Sequence, residues 1–134
     1  MSRDVRTLPE PNRRLLQIML IASASALAAG LLVLFLPLIR TVGPSGELEY
    51  ASSIETEGVR AVLRHLSPAV VSVLAVPLRR WRSARLLATL PVLYYAILGS
   101  AFLAGVFFIP AAVLQVIAAF LPYQPEDHRP QPAP

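Results

Sequence analysis

The sequence of 134 residues contains no cysteine and no lysine. The lack of cysteine excludes disulfide bonds, thiolate nucleophiles and cysteine-based metal sites. The lack of lysine excludes Schiff-base chemistry and a lysine general base. The two histidines, His65 and His128, lie far apart in the chain, and without carboxylate partners they do not make a metal site. We therefore expect no metal, no cofactor and no enzymatic activity.

Charged residues are scarce, at 15% of the chain, against about 25% in an average soluble domain. Hydrophobic residues make up 55%. None of the eight acidic residues lies inside an apolar run, which excludes carboxylate proton relays within a membrane. All 12 basic residues are arginine, and they flank apolar runs, which favours membrane orientation over nucleic-acid binding. Composition thus predicts a membrane protein with no nucleic-acid partner.

The first apolar run, Leu15–Ile39, has 25 residues without a charge. As a helix it would be about 37 Å long, enough to cross an apolar layer of about 30 Å. A cleaved signal peptide is the alternative, because Ala22-Ser23-Ala24 has the small residues of a cleavage site. The run is longer than the roughly 7–15 apolar residues of a signal peptide. We expect an uncleaved span over 15–39 after a cytoplasmic segment over 1–14.

The loop over 40–57 is rich in turn-forming residues and carries four glutamates. In one interpretation Leu48, Tyr50 and Ile54 form a short hairpin or a lid over the helix ends. The span predicted after it, 58–78, has the weakest sequence evidence for crossing the membrane. It reaches a sufficient length only by including charged residues near its start, and prolines interrupt it.

The last apolar stretch, residues 86–121, contains no charge. One helix of this length would be about 54 Å long, far more than a bilayer needs. Two spans, 86–104 and 106–121, fit better, because Gly105 can stop one helix and Pro110 suits the first turn of the next. The final span is short, and a re-entrant segment is the alternative. The proline-rich tail over 122–134 is predicted to be disordered.

Arginines are concentrated in the segment 1–14 and in a loop over 79–85, each with four. Arginine-rich short loops lie in the cytoplasm, so the acidic loop lies outside and both chain ends lie inside. The chain must then cross an even number of times between the basic segments, which supports the weak second span. The predicted topology and interface residues are Arg79, Arg80, Trp81, Arg82 and Arg85.

Small residues recur four apart on two predicted helices: Ala22, Ala26 and Gly30 on the first, and Ala101 and Gly105 on the third. In lipid, small residues let helix backbones approach one another. The face is either a seam between two copies or a packing face within one chain. We favour the second because each of the four short helices needs another helix of the chain to pack against.

Polar residues at predicted membrane depth form a candidate site of Gln115, Arg64 and His65. Gln115 lies in the middle of the last span, where it either lines a pore or bonds to a neighbouring helix. Arg64 and His65 lie near the outer end of the second span. They either bind anionic headgroups and sense pH, or reach the outer surface and pair with Glu55 or Glu57.

The order of these parts resembles that of small four-span membrane proteins common in GC-rich bacterial genomes. The likeness lies in an arginine-edged first span, the outer loop Tyr50-Ala51-Ser52-Ser53, a proline-containing second span, an arginine loop, and a closing hairpin that turns over 105–112. This resemblance implies a multi-pass protein of the bacterial inner membrane. Such proteins carry no established activity, so the resemblance implies no functional residue.

The sequence therefore predicts an all-α fold, a transmembrane four-helix bundle of two helical hairpins with both termini cytoplasmic. We expect a non-enzymatic accessory or scaffold subunit whose partners are the lipid bilayer and another membrane protein or a second copy of itself. A small oligomeric channel or transporter is the alternative, based on Gln115, the prolines and the Arg64–His65 pair.

Overall fold

The computed structural model describes residues 9–100 and 104–125, and these are mostly helical, which confirms the predicted helical class. In chain order the elements are α1 (Glu10–Phe35), β1 (Ile39–Val42), β2 (Leu48–Ala51), α2 (Ser53–Glu57), α3 (Val59–Ala75), α4 (Arg82–Ser100), a 3-10 segment (Ala104–Phe108) and α5 (Ile109–Phe120). The predicted tail over 122–134 lies mostly outside the described residues, and Ala101 lies wholly outside them.

Helix α1 is displaced toward the N-terminus from the predicted span 15–39. It starts at Glu10 with Pro11 in its first turn, where a missing N–H costs no helical hydrogen bond. It ends at Phe35 because Pro37 forces the preceding Leu36 into an extended conformation, with ψ of 138°. Of the described helices, only α1 meets both the length and the apolarity required to cross a membrane. A buried core helix or a signal sequence meets the same two criteria.

The predicted outer loop over 40–57 is largely ordered. Strands β1 and β2 form an antiparallel hairpin in which Arg40 pairs with Tyr50. Gly46 takes a positive φ of 80° in the turn, a conformation that glycine adopts without strain. The expected hairpin thus includes Leu48 and Tyr50, whereas Ile54 lies in helix α2 instead.

Helix α3 is shorter than the predicted span 58–78. Gly58, with φ of 58°, turns the chain between α2 and α3. The helix ends at Ala75, and two further turns follow in which Val76 N–H bonds to Val73 and Leu78 N–H bonds to Ala75. Pro77 has no N–H to continue the helical ladder, which accounts for the early end.

Helix α4 begins at Arg82, so the predicted loop 79–85 is shorter than expected, and its second half forms the first turn of α4. The predicted span 106–121 consists of the end of the 3-10 segment and the 12-residue α5. Gly105 lies inside the 3-10 segment. A Cβ added to Gly99 would lie 2.8 Å from the Gly105 Cα, so these two glycines let the chain double back tightly.

Four helices form a closed ring: α1 packs on α3 and α5, and α4 packs on the same two helices. The side chains of Asn12 and Arg85 hold the helices together at one end of the ring. The Asn12 side chain bonds to both backbone polar groups of Gln124, at 2.7 and 2.9 Å. The Arg85 guanidinium donates to the carbonyl oxygens of Ala118 and Leu121, both at 2.7 Å. The start of α1, the start of α4 and the end of α5 therefore lie at one end.

The interior of the ring consists mainly of small side chains. Its buried apolar residues include Ala22, Ala26, Ala29, Ala61, Ala69, Ala75, Ala88, Ala96, Ala111, Ala112, Ala118 and Ala119. Four uncharged polar residues, Ser23, Ser72, Thr89 and Gln115, are buried with them, each at most 5% exposed. Six larger apolar side chains are also buried: Leu15, Met19, Val33, Leu34, Val92 and Phe108. Most large apolar side chains point outward, among them Leu20, Leu27, Phe35, Val70, Leu74, Leu87, Leu90, Ile97, Val113 and Phe120.

Candidate functional site

A cleft of about 800 Å³ lies at the end of the ring opposite the contact between Asn12 and Gln124. Its walls come from the hairpin, α2, α3, α4 and the 3-10 segment. The polar lining residues are Arg40, Ser53, Glu57, Arg64, His65, Tyr94 and Tyr95, and the apolar ones include Val33, Leu38, Leu98 and Phe108. Small-molecule sites occupy about 300–1,000 Å³, so the cleft has the volume of such a site.

Helix α2 places Ser53 and Glu57 at the cleft through a capping box. The Ser52 backbone N–H and hydroxyl donate to the Glu55 carboxylate at 2.7 and 2.8 Å, and the Ser52 hydroxyl accepts the Glu55 N–H. These hydrogen bonds to the charged form lower the pKa of Glu55, with the backbone N–H contributing most. The capping box fixes where this short helix starts, and Glu57 follows at its end.

Arg64 makes polar contacts with three other residues that line the cleft. Its Nη2 lies 2.7 Å from Glu57 Oε1 and 3.2 Å from His65 Nε2. Its backbone carbonyl accepts a hydrogen bond of 2.6 Å from the Tyr95 hydroxyl on α4. The Arg64 side chain is about half exposed, so it faces the cleft while remaining paired, as one of the two sequence interpretations expects.

His65 has a different environment from its neighbour Arg64. It is buried, at 6% exposure, and its ring packs edge-on against Tyr95 with centroids 6.2 Å apart. Tyr95 packs in turn on Phe108 at 5.4 Å. The alternative in which both Arg64 and His65 reach the outer surface is not met for His65, because α3 turns its ring toward α4 at the inner wall of the cleft.

Gln115 lies apart from the cleft, on the buried face of α5. It is fully buried, and neither polar atom of its side chain has a hydrogen-bond partner among the described residues. The expected bond from this amide to a neighbouring helix is absent there. Its backbone carbonyl instead accepts from the Thr89 hydroxyl at 3.4 Å. The structure thus separates Gln115 from Arg64 and His65, which the sequence analysis grouped together.

The small-residue stripe on α1 is covered within the chain. Ala22 and Ala26 are fully buried. A Cβ added to Gly30 would lie 2.5 Å from the His65 carbonyl oxygen, so α1 and α3 approach closely at this glycine. This arrangement leaves no room on the stripe for a second copy. Gly105 is likewise buried, beside Gly99.

The basic residues at the other end divide into two kinds. Arg80 lies over the Trp81 ring at 5.0 Å, Arg82 lies over the Phe120 ring at 5.5 Å, and both arginines are exposed. Arg85 was expected to join them but is 3% exposed. It caps the last carbonyls of α5, which have no partner in their own helix. Its place at the edge of an apolar run was the only sequence signal for this role.

Within the described ranges, no three His, Asp or Glu side chains are placed to hold a metal ion. Comparison of the chain with models of protein families, with curated proteins and with solved structures gives no match. The resemblance to small four-span proteins therefore stays a prediction. What the chain does must be inferred from its cleft and its surface.

Proposed function

We propose that this chain is a non-enzymatic integral membrane protein that acts as an accessory or scaffold subunit through protein partners in the bilayer. In this proposal α1, α3, α4 and the last helical stretch each cross the membrane. The single observation that carries the proposal is the polarity of the ring, whose exterior is apolar and whose interior holds small and polar side chains.

This distribution differs from that of a soluble helical bundle, because most large apolar side chains are exposed and most of the buried ones are alanines. Leu20, Leu74, Leu90 and Phe120, one from each of the four helices, are between 51% and 66% exposed. Gln115 and the buried serines and threonine lie inside. In water the large apolar side chains would be buried first and the polar ones left outside. A lipid environment removes the cost of exposing the leucines and makes buried small and polar residues useful for packing.

The helix lengths and the distribution of charge agree with four crossings. Helices α3 and α4, of 17 and 19 residues, would be about 26 and 28 Å long, close to the thickness of about 30 Å of the hydrocarbon layer. The 3-10 segment adds about 10 Å to the 18 Å of α5. Arg13 and Arg14 near the start of α1 lie at the same end of the ring as the arginines at the start of α4, and arginine-rich ends face the cytoplasm.

An outward-facing groove between α4 and α5 offers a place for a partner helix. It measures about 540 Å³, and its lining includes Leu86, Leu90, Leu93, Val116, Ala119 and Phe120. Helix association in lipid relies on close packing rather than on hydrophobic burial, so a preformed groove favours docking of another transmembrane helix.

The test is mild extraction from the native membrane, followed by measurement of the mass and composition of the particle. The proposal predicts a complex with a second polypeptide, which is lost when Leu90→Trp fills the groove and kept in the control Leu20→Trp on the exposed face of α1. A lone monomer, or equal effects of the two variants, would contradict it.

A small oligomeric channel or transporter is the second candidate, favoured by the 800 Å³ cleft and by the unpartnered amide of Gln115. This candidate predicts solute flux in liposomes that falls in Arg64→Ala and Gln115→Leu. Absence of flux, or flux that neither substitution changes, would overturn it.

A further inference from the structure

We propose that the cleft at the outer end of the ring binds one anionic phospholipid, with its phosphate at the arginines and an acyl chain along the apolar wall. This inference rests on the proposed placement of the chain in a membrane and does not depend on a protein partner.

The charge of the cleft lining favours an anionic ligand. Arg40 and Arg64 contribute two positive charges to the cleft and Glu57 contributes one negative charge, which leaves at least one net positive charge. Within the described residues, Arg40 has no ion pair, and its guanidinium only lies over the Tyr50 ring at 5.9 Å. It is therefore available to a ligand. Guanidinium groups suit phosphate because their fork of N–H donors matches two phosphate oxygens.

The apolar wall of the cleft favours a ligand that has an acyl chain. Leu38, Leu98 and Phe108 line the same cleft as the arginines, and Leu98 is 53% exposed on the outer side of α4. A soluble anion would contact the arginines and leave this wall uncovered. A phospholipid would satisfy both parts, because its chain covers the wall and its phosphate lies at the polar rim.

The position of the cleft favours a lipid of the membrane surface as its ligand. It lies next to the hairpin, at the end of the four helices where the proposed membrane surface would be. Tyr94, at 61% exposure, and Tyr95 belong to its lining, and tyrosines are enriched where lipid headgroups meet the hydrocarbon layer. A zwitterionic choline lipid fits less well, because its ammonium group would add a positive charge beside the two arginines.

The test is native mass spectrometry of the full chain in detergent, titrated with phosphatidylglycerol or with phosphatidylcholine of the same acyl chains. We expect one tightly bound phosphatidylglycerol, held at least about tenfold more tightly than phosphatidylcholine. The double variant Arg40→Gln/Arg64→Gln should abolish this preference. Glu57→Gln should bind phosphatidylglycerol more tightly than the natural chain, because it removes the negative charge from the lining.

Arg60→Gln is the matched control, since Arg60 is exposed one turn before Arg64 and does not line the cleft. Its affinity should match that of the natural chain. Equal binding of the two lipids, or an unchanged preference in the double variant, would overturn the inference. Displacement of the lipid by millimolar inorganic phosphate would show a site for free anions instead. A chain that leaves the membrane fraction without detergent would contradict the proposed function itself.

Discussion

The side chain of Gln115 shows how a single residue separates the proposed roles. Its amide is fully buried, with no hydrogen-bond partner among the described residues, and an unsatisfied buried polar group costs about 1–3 kcal/mol. In a purely structural bundle no interaction offsets this cost. In a channel or a carrier the amide would have a ligand to bind.

We predict that Gln115→Leu stabilises the protein by about 1–2 kcal/mol, because leucine has a similar size and needs no partner. Gln115→Ala should destabilise it, since it leaves a cavity between the helices. Thermal unfolding in detergent measures both. A lower melting temperature for Gln115→Leu would show that the amide has a partner in the folded protein.

Arg85 differs from Gln115, because the Nη1 group of its buried guanidinium has hydrogen-bond partners. It donates to two carbonyls at the end of α5, and hydrogen bonds to charged groups contribute about 1.5–3 kcal/mol. We predict that Arg85→Gln lowers the free energy of unfolding by about 2–3 kcal/mol. The control Arg80→Gln, at an exposed position, should change it by less than about 1 kcal/mol. Equal effects would contradict the capping role.

Among the elements, the contact between α1 and α3 depends on one glycine. Valine at position 30 would put its Cβ 2.5 Å from the His65 carbonyl oxygen, so the helices would have to separate. We predict that Gly30→Val lowers stability by about 2 kcal/mol or more, by overpacking this crossing. Ala28→Val, on the exposed side of the same helix, is the control and should have little effect. The same unfolding assay applies, and a neutral Gly30→Val would refute the close crossing.

The elements were more predictable from the sequence than their ends. The charge-free runs predicted α1, α4 and α5, and Pro110 marked the start of α5. The topology of the arginine-rich segments supported α3, whereas α2 lies in a segment predicted to be a loop. Helix α1 ends before the apolar run does, because Pro37 holds Leu36 in an extended conformation. The order within 40–57 depends on pairing between β1 and β2, which the short apolar pattern of β2 alone does not specify.

The candidate site was predictable only in part, because its residues come from distant segments. Arg64 and His65 were found through their position near an apolar run. Tyr94, Tyr95 and Arg40 were not, since only the folding of α4 and the hairpin over α3 brings them together. The role of Arg85 was missed for the same reason, because its partners follow it by 33 and 36 positions.

At the scale of the whole molecule, the proposed function requires that four helical segments cross a bilayer with the arginine-rich end inside. The contacts of Asn12 with Gln124 and of Arg85 with Leu121 place the start of α1, the start of α4 and the end of α5 together. The hairpin between α1 and α3 then lies at the other end. Each end should therefore be accessible from one side of the membrane alone.

The most direct measurement uses the absence of cysteine, since any introduced thiol is the only one in the chain. Ser45→Cys at the hairpin tip, Ser83→Cys in α4 and Gln124→Cys after α5 would be treated in intact cells with a maleimide that does not cross membranes. We predict that only Ser45→Cys is labelled, and that the other two react after permeabilisation. Labelling of Ser83→Cys or Gln124→Cys in intact cells would contradict the four-crossing topology.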